Sequence, residues 1–380
     1  MTTRRKTNIC LNMIVKNETT VLDRLFSSVK DYIDYYVIVD TGSTDGTQQL
    51  IKTRMSEYGI EGEVHDRPWV NFGVNRQQAL ELAVRAGRSD WLLFIDADEE
   101  LGVSNPRFYE ELQPGVTYDI AKQHQNIRYL VPHLVNVRAT EWCWKGPVHN
   151  YLEHVRGSTQ RAARDDVWII YHQGEGAKSQ GVTSEEKYLR DAQLLEDELE
   201  RNPGDPRSQF YLGQSYKHAG RLEQAFEAYK VRSKQEGWAE ETFMAQLEAG
   251  RVAKLMNKTE GEVVSELLQA YQLRPSRAEP LYELASYYRP LKMYAKAHLF
   301  AKAGLAIEWP DDKLFVAHDV YNWRLLDEIG VCAYWMGRYE EARGACEEVL
   351  RRARGGVSVP EADLERIRQN LGFSKAKLAT

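Results

Sequence analysis

Asp96 and Asp98 stand one residue apart directly behind Trp91-Leu92-Leu93-Phe94-Ile95, a run of five apolar residues. Such a run reads as a buried strand. Alternate side chains of an extended chain share a face, so both carboxylates point one way and Ala97 turns aside. Two carboxylates at the end of a buried strand repel each other. A cation relieves that repulsion, and oxygen-only ligands suit Mg²⁺ or Mn²⁺. Three upstream groups extend the pattern: Glu18 in Lys16-Asn17-Glu18, Asp40 at the head of Asp40-Thr41-Gly42-Ser43-Thr44-Asp45-Gly46-Thr47, and Arg76 in Asn75-Arg76-Gln77-Gln78. An arginine there suits a diphosphate. Each has a plainer counterpart: a solvated first-turn acid for Glu18, an ordinary turn for the Asp40 loop, and an exposed helix arginine for Arg76. Eight consecutive Gly, Ser, Thr and Asp residues nevertheless exceed what a helix cap needs.

Alternating strands and helices would position these groups. Asn8–Val15 is a mostly apolar run fit for a central parallel strand, and Thr19 or Thr20 can cap a helix carrying Val21, Leu22, Leu25, Phe26 and Val29. Tyr35–Val39 reads as a second strand, followed by a helix from about Thr47 to Tyr58. Glu63–Arg67 suggests a third strand, and Asn71–Ala86 an amphipathic helix before the Trp91 strand. This alternation predicts an open α/β sheet, whose ligands bind beyond the carboxyl ends of the strands. The polar clusters after strands one, two and four all fall at that edge.

Met13–Glu18 (MIVKNE), Val37–Thr47 (VIVDTGSTDGT), Asn71–Leu80 (NFGVNRQQAL) and Leu92–Glu99 (LLFIDADE) together resemble glycosyltransferase family 2 in order and interval. The resemblance implies a GT-A fold (Rossmann-like, with a mostly parallel sheet), a nucleotide-sugar donor such as a UDP-sugar, and inversion at the anomeric carbon. It further implies that Val15, Glu18 and Asp40 line the nucleoside, that Arg76 and Asp96 face the diphosphate, and that Asp98 ligates Mn²⁺ or Mg²⁺, with Asp96 beside it. A metal bridging both phosphates would neutralise the departing nucleoside diphosphate.

Past Glu100 the pattern weakens. Asn105–Gly115 reads as a loop broken by Pro106 and Pro114, and Asn126–Arg138 as one or two strands with a break at Pro132. Glu141–His149 (EWCWKGPVH) resembles a W-x-G-x-V-H stretch in a subset of these transferases, which often carries Glu next; Asn150 stands there instead. GT-A enzymes commonly take a late histidine as a further metal ligand, and His149, then His172, are the candidates here. Inversion needs a group to accept the acceptor's proton. Glu99, Glu100, Glu141 and His149 are the candidates by position. Trp142 and Trp144 could stack on a sugar or pack as core aromatics.

Gly174–Gly181 (GEGAKSQG) is expected to be a seam, dividing a transferase domain at 1–178 from a helical domain at 179–380. Leu212-Gly213-Gln214-Ser215-Tyr216, Gly220-Arg221-Leu222, Ala225 and Tyr229 fit the tetratricopeptide pattern, and Leu284–Tyr288, Tyr294, Ala297 and Pro310 repeat it. Phe243–Pro275 supplies an intermediate unit, Ile329–Leu350 a fourth, and Glu361–Leu371 a capping helix. An all-α tetratricopeptide-like solenoid is therefore expected. The combination resembles the sublancin-type peptide S-glycosyltransferases, which implies a peptide or protein acceptor recruited by the repeats; a glycan acceptor and a homodimer are also compatible.

The 380 residues carry a net charge of −6, with 43% hydrophobic and 28% charged residues. That balance gives no overall attraction to nucleic acid or anionic lipid. No apolar run approaches the ~18 residues of a membrane span, and the scattered Cys10, Cys143, Cys332 and Cys346 read as reduced thiols rather than a zinc site. A cytoplasmic location is expected. The expected activity is inverting, metal-dependent sugar transfer. Two other readings are an interaction protein whose transferase fold is vestigial, and a nucleotidyltransferase. Against the latter, Lys16-Asn17-Glu18 is not a glycine-rich phosphate loop.

Overall fold

The structure, a computed structural model, describes residues 8–124, 127–172, 175–176 and 181–379. Most of the seam expected at Gly174–Gly181 lies outside the described residues. The chain divides into two compact units, Met1–Glu200 and Arg201–Thr380. Among the described residues no helix is long and apolar enough to cross a membrane.

The first unit alternates as expected through β1 (Ile9–Val15), α1 (Leu22–Val29), β2 (Tyr35–Asp40), α2 (Thr47–Glu57), β3 (Glu61–Asp66), α3 (Phe72–Ala86) and β4 (Trp91–Phe94). Then follow β5 (Glu99–Val103), β6 (Val116–His124), β7 (Ile127–Asn136), β8 (Thr140–Lys145), β9 (Tyr151–Gly157), β10 (Gln160–Tyr171) and α4 (Ser184–Arg201). Eight strands form one sheet in the order β3-β2-β1-β4-β7-β6-β10-β5, while β8 and β9 pair separately. Strands β3, β2, β1 and β4 run parallel; β7 is antiparallel to both β4 and β6.

Strand alternation explains the layering. Ile9, Leu11, Met13 and Val15 pack in one core with Leu22, Leu25 and Phe26 of α1 and Ile51 of α2. Cys10 belongs to the opposite core with Leu80 and Ala83 of α3. Asn12 is also buried, but satisfied: its amide donates to Val37 O (3.1 Å) and Ala79 O (2.9 Å), pinning α3 to the sheet.

Four local expectations change. The β4 strand ends at Phe94, and Asp96–Glu99 is a turn closed by Glu99 N donating to Asp96 O at 3.1 Å. Strand alternation therefore does not orient the two aspartates. Strand β7 continues through Pro132, but its register with β6 slips beside the proline: Tyr118 faces Leu134 and Asp119 faces Pro132, leaving His133 without an opposite residue. Helix α1 starts at Leu22 with Val21 at its N-cap and no side-chain cap, because the Thr19 hydroxyl donates to Asp45 (2.8 Å). A 3-10 turn, Phe108–Glu111, interrupts the expected loop.

The second unit stacks four helix pairs: α5 (Pro206–His218) with α6 (Leu222–Arg232), α7 (Ala239–Leu255) with α8 (Glu260–Leu273), α9 (Glu279–Tyr288) with α10 (Tyr294–Leu305), and α11 (Leu325–Trp335) with α12 (Tyr339–Arg354). Helix α13 (Glu361–Leu378) follows. Small residues recur where paired helices meet. A Cβ on Gly213 would lie 2.8 Å from the Tyr229 ring, and one on Gly250 would lie 2.5 Å from Leu267. Ala225, Ala285, Ala297 and Ala342 are fully buried. The longer connection between α10 and α11 is gathered by Arg277. Its guanidinium is 0% exposed and bonds Glu279 (2.7 Å), Asp312 (3.1 Å) and the carbonyls of Leu314 and Phe315 (3.2 Å each).

Replacing Arg277 with Leu strands the buried Glu279 carboxylate, and removing one partner of a buried pair typically costs about 3–5 kcal/mol. Chemical denaturation followed at the helical unit is expected to show a loss of that order, whereas a change under about 1 kcal/mol would contradict the role assigned to Arg277.

Candidate active site

The carboxyl edge of β1, β2 and β4 carries two loops laced together. Asp40 is fully buried; its Oδ1 accepts from Gly42 N (2.8 Å) and Ser43 N (2.7 Å), while its Oδ2 has no hydrogen-bond partner among the described residues. Asn17 takes a left-handed backbone (φ +56°), donates its N–H to Ser43 Oγ at 2.8 Å and accepts from Thr44 N at 2.7 Å. Glu18 N donates to Thr47 Oγ1 (2.9 Å), and Asp45 Oδ1 accepts from the same hydroxyl (2.6 Å). The loop composition that exceeded a simple cap is thus used to fix a second loop.

Two adjoining cavities open along this edge, about 530 Å³ and about 420 Å³. The first has largely apolar walls that include Val15, Thr41, Trp69 and Phe72. The second contains Arg76, Asp96, Asp98, Lys122, His149 and Tyr171. Ile14, Glu18, Phe72 and Asp191 line both, so the cavities share a waist.

Charge is arranged around the aspartates. Arg76, stacked over Trp144 at 5.2 Å, hydrogen-bonds Asp96. Burial works to raise the Asp96 carboxyl, yet Arg76 and Lys122 hold it below the ordinary carboxylate range. Asp98 moves the other way, raised by burial and then by the charge of Asp96. Glu99 is 0% exposed beneath the turn; its Oε2 accepts from Asp96 N at 2.8 Å and its other oxygen pairs with Lys122. Burial and Asp96 push Glu99 up to about 7. A Cβ on Gly176 would lie 2.8 Å from Asp98 Oδ2, so only glycine leaves that carboxylate its place.

His149 reaches the cavity because its loop is docked on α3. Phe72 N donates to Pro147 O (3.2 Å), and a Cβ on Gly73 would sit 2.3 Å from Gly146 O. His149 itself is held at φ +47°, an uncommon backbone for a residue with a side chain and a form of strain concentrated at functional sites.

Of the residues expected from sequence, Val15 and Glu18 line the first cavity, and Glu18, Arg76, Asp96, Asp98 and His149 the second. The rest lie elsewhere. His172 bonds Glu100 through Nε2 at 3.1 Å, and neither lines the cavity. Glu141 sits in a separate depression at the far end of α3, 3.7 Å from Arg156. Trp142 is a core residue, donating to Asn136 O at 2.9 Å, and Trp144 supports Arg76. Among the described residues no three His, Cys, Asp or Glu side chains form a ready metal cluster. Sequence reading missed Lys122, Tyr171 and the α4 residues. A lysine on an alternating strand reads as exposed, whereas Lys187, Asp191 and Leu194 do carry a helical one-face spacing.

The model of the family described as Glycosyl transferase family 2 matches residues 10–112. An uncharacterized glycosyltransferase of Rickettsia prowazekii (strain Madrid E) is 35% identical over 118 residues, covering 31% of this chain and 34% of that protein. The SPbeta prophage-derived glycosyltransferase SunS of Bacillus subtilis (strain 168) is 23% identical over 249 residues, 58% of this chain and 52% of SunS. The match thus spans about a third of the first relative's length and about half of the second's. Similar solved structures include MamA (18% identity, 45% of this chain and 91% of that chain, TM-score 0.37) and a thermophilic TPR protein of Thermus thermophilus (22%, 49% and 91%, TM-score 0.33). Residues 10–112 of the N-terminal unit are thus similar to family 2 glycosyltransferases, and the second unit is built of stacked helix pairs.

Asp40→Ala removes the acceptor of two backbone N–H groups and is expected to cost about 2–3 kcal/mol in thermal or chemical unfolding. Asp40→Asn keeps Oδ1 and is expected to lose less than half of that; equal losses would contradict the turn-holding role.

Proposed function

We propose that this protein is an inverting glycosyltransferase that takes a sugar from a nucleotide-sugar, with a UDP-sugar as the first donor to test. The observation that carries the reading is a single waisted cleft at the carboxyl edge of the parallel strands, with one apolar compartment and one charged compartment. The base and ribose belong in the first, against Val15 and Thr41, with the unpartnered Asp40 oxygen as a spare acceptor beneath. The diphosphate belongs in the second, against Arg76.

A divalent cation fits the donor set. Asp96 and Asp98 would offer it oxygen ligands, and burial and then the charge of Asp96 raise the Asp98 carboxyl, a cost that a bound cation would relieve. With no third carboxylate or histidine preassembled beside them among the described residues, a Mn²⁺ or Mg²⁺ held here would take its remaining ligands from the diphosphate and water, as Mg²⁺ commonly does. When bound, such an ion stabilises negative charge on the leaving nucleoside diphosphate. Arg76 is placed to turn from Asp96 to a phosphate, and Lys122 keeps the floor of the turn neutral through Glu99.

Inversion requires one group on the acceptor side to take a proton. Among Glu99, Glu100, Glu141 and His149, His149 is the one lining the charged cavity. His149 is therefore the proposed proton acceptor. The helical unit is the part proposed to recruit a peptide or protein acceptor; its stacked helix pairs support this, since solenoids offer extended binding surfaces.

Purified protein incubated with UDP-sugars and Mn²⁺ should release UDP slowly, and faster with acceptor. Asp98→Asn and Gly176→Ala, the second by displacing Asp98, are expected to lower release at least tenfold with unfolding temperature little changed. His149→Asn keeps a residue tolerant of left-handed backbone, and its loss should be about 10²–10⁴-fold. Full turnover in Asp98→Asn would refute the cation site, and release of pyrophosphate instead of a nucleoside diphosphate would refute sugar transfer.

A further inference from the structure

The family match ends at residue 112, yet one wall of the cleft comes from α4. Lys187, Asp191 and Leu194 fall at i, i+4 and i+7, one face of that helix. Their order follows the cleft. Lys187 and Tyr188 line the charged cavity with Asp96 and Asp98, Asp191 lines the waist, and Arg190, Gln193 and Leu194 line the apolar cavity with Val15 and Thr41, Arg190 lying off the face that Lys187, Asp191 and Leu194 share. At the waist Asp191 shares the walls with Glu18, Ile14 and Phe72. Asp191 is 5% exposed, on a helix whose other acids are exposed or half-buried.

A cation, then a carboxylate, then an apolar side chain matches a diphosphate, a ribose and a base in sequence. Carboxylates accept but do not donate. Two at a waist suit a vicinal diol, which presents two donors, and suit a deoxyribose less well. We infer that α4 reads the donor nucleotide along its length: Asp191 and Glu18 bracket the ribose hydroxyls, Lys187 meets the diphosphate, and the site selects ribonucleoside over 2′-deoxyribonucleoside diphosphates. This rests on the donor reading above and narrows it, setting deoxythymidine-linked sugars aside.

The test is calorimetric titration of the full chain with UDP against 2′-deoxy-UDP and GDP against 2′-deoxy-GDP, in Mn²⁺. A hydrogen bond to a charged group discriminates by roughly 10–100-fold. The preferred ribonucleotide should therefore bind at least tenfold tighter than its deoxy form. Asp191→Asn should weaken it about tenfold and bring the ratio close to one. Lys187→Met should weaken UDP and deoxy-UDP alike, several-fold, and leave uridine binding unaltered. Equal binding of ribo and deoxy forms by the wild-type protein, or an unaltered ratio in a folded Asp191→Asn, overturns the inference while leaving a nucleotide site in place. Binding of neither pair overturns the donor reading with it. If Asp191→Asn fails to fold, the wild-type ratio and Lys187→Met still decide, because undiminished UDP binding in Lys187→Met contradicts the role of α4.

Discussion

Two carboxylates one residue apart, in a turn only partly shielded from water, set the terms for the whole cleft. Burial penalises the charge on each, and each raises the cost of the other. The fold answers unequally. Asp96 receives Arg76 from α3 and the field of Lys122 from β6, and stays low; Asp98 receives less and is raised. The asymmetry leaves Asp98 as the group with most to gain from a cation. It also explains the surrounding structure: Trp144 under Arg76, Glu99 tying Lys122 below the turn, and a glycine at 176 where any side chain would press on Asp98.

The helical unit obeys a different constraint, close approach of paired helices. Gly213, Gly250 and Gly330 meet Tyr229, Leu267 and Cys346 across their pairs. Where the connection lengthens before α11, a buried arginine replaces tight turns as the organiser, and its charge is balanced by Glu279 and Asp312. Lys217–Glu248, Arg251–Glu283 and Arg289–Glu328 link successive first helices of the pairs, so that face of the solenoid is charged but internally paired. Partly buried ion pairs of this kind add little net stability, because the cost of desolvating the charges offsets their attraction.

Much of the first 100 residues was legible because local and global signals agree there. Apolar runs became β1, β2 and β4, and the polar clusters after them gathered at one edge. The orientation of Asp96 and Asp98 was not legible by alternation, since a turn stabilised by Glu99 replaces the strand after Phe94. Beyond Leu101 the sheet depends on antiparallel pairing of β5 with β10 and β7 with β4, long-range choices that no local pattern encodes. Glu141 looked equivalent to His149 by position, but the β8–β9 pair carries it to another depression. The repeats were legible in count and order because their small residues recur at a fixed place in each helix pair.

The most direct measurement is diffraction from crystals of the full chain grown with UDP and Mn²⁺, with data collected at the manganese edge. The account predicts one anomalous peak joining Asp98 to the diphosphate, Arg76 turned toward a phosphate, and the base in the compartment of Val15 and Thr41. UDP seated in the cleft with no cation near Asp98, or seated elsewhere, would contradict it.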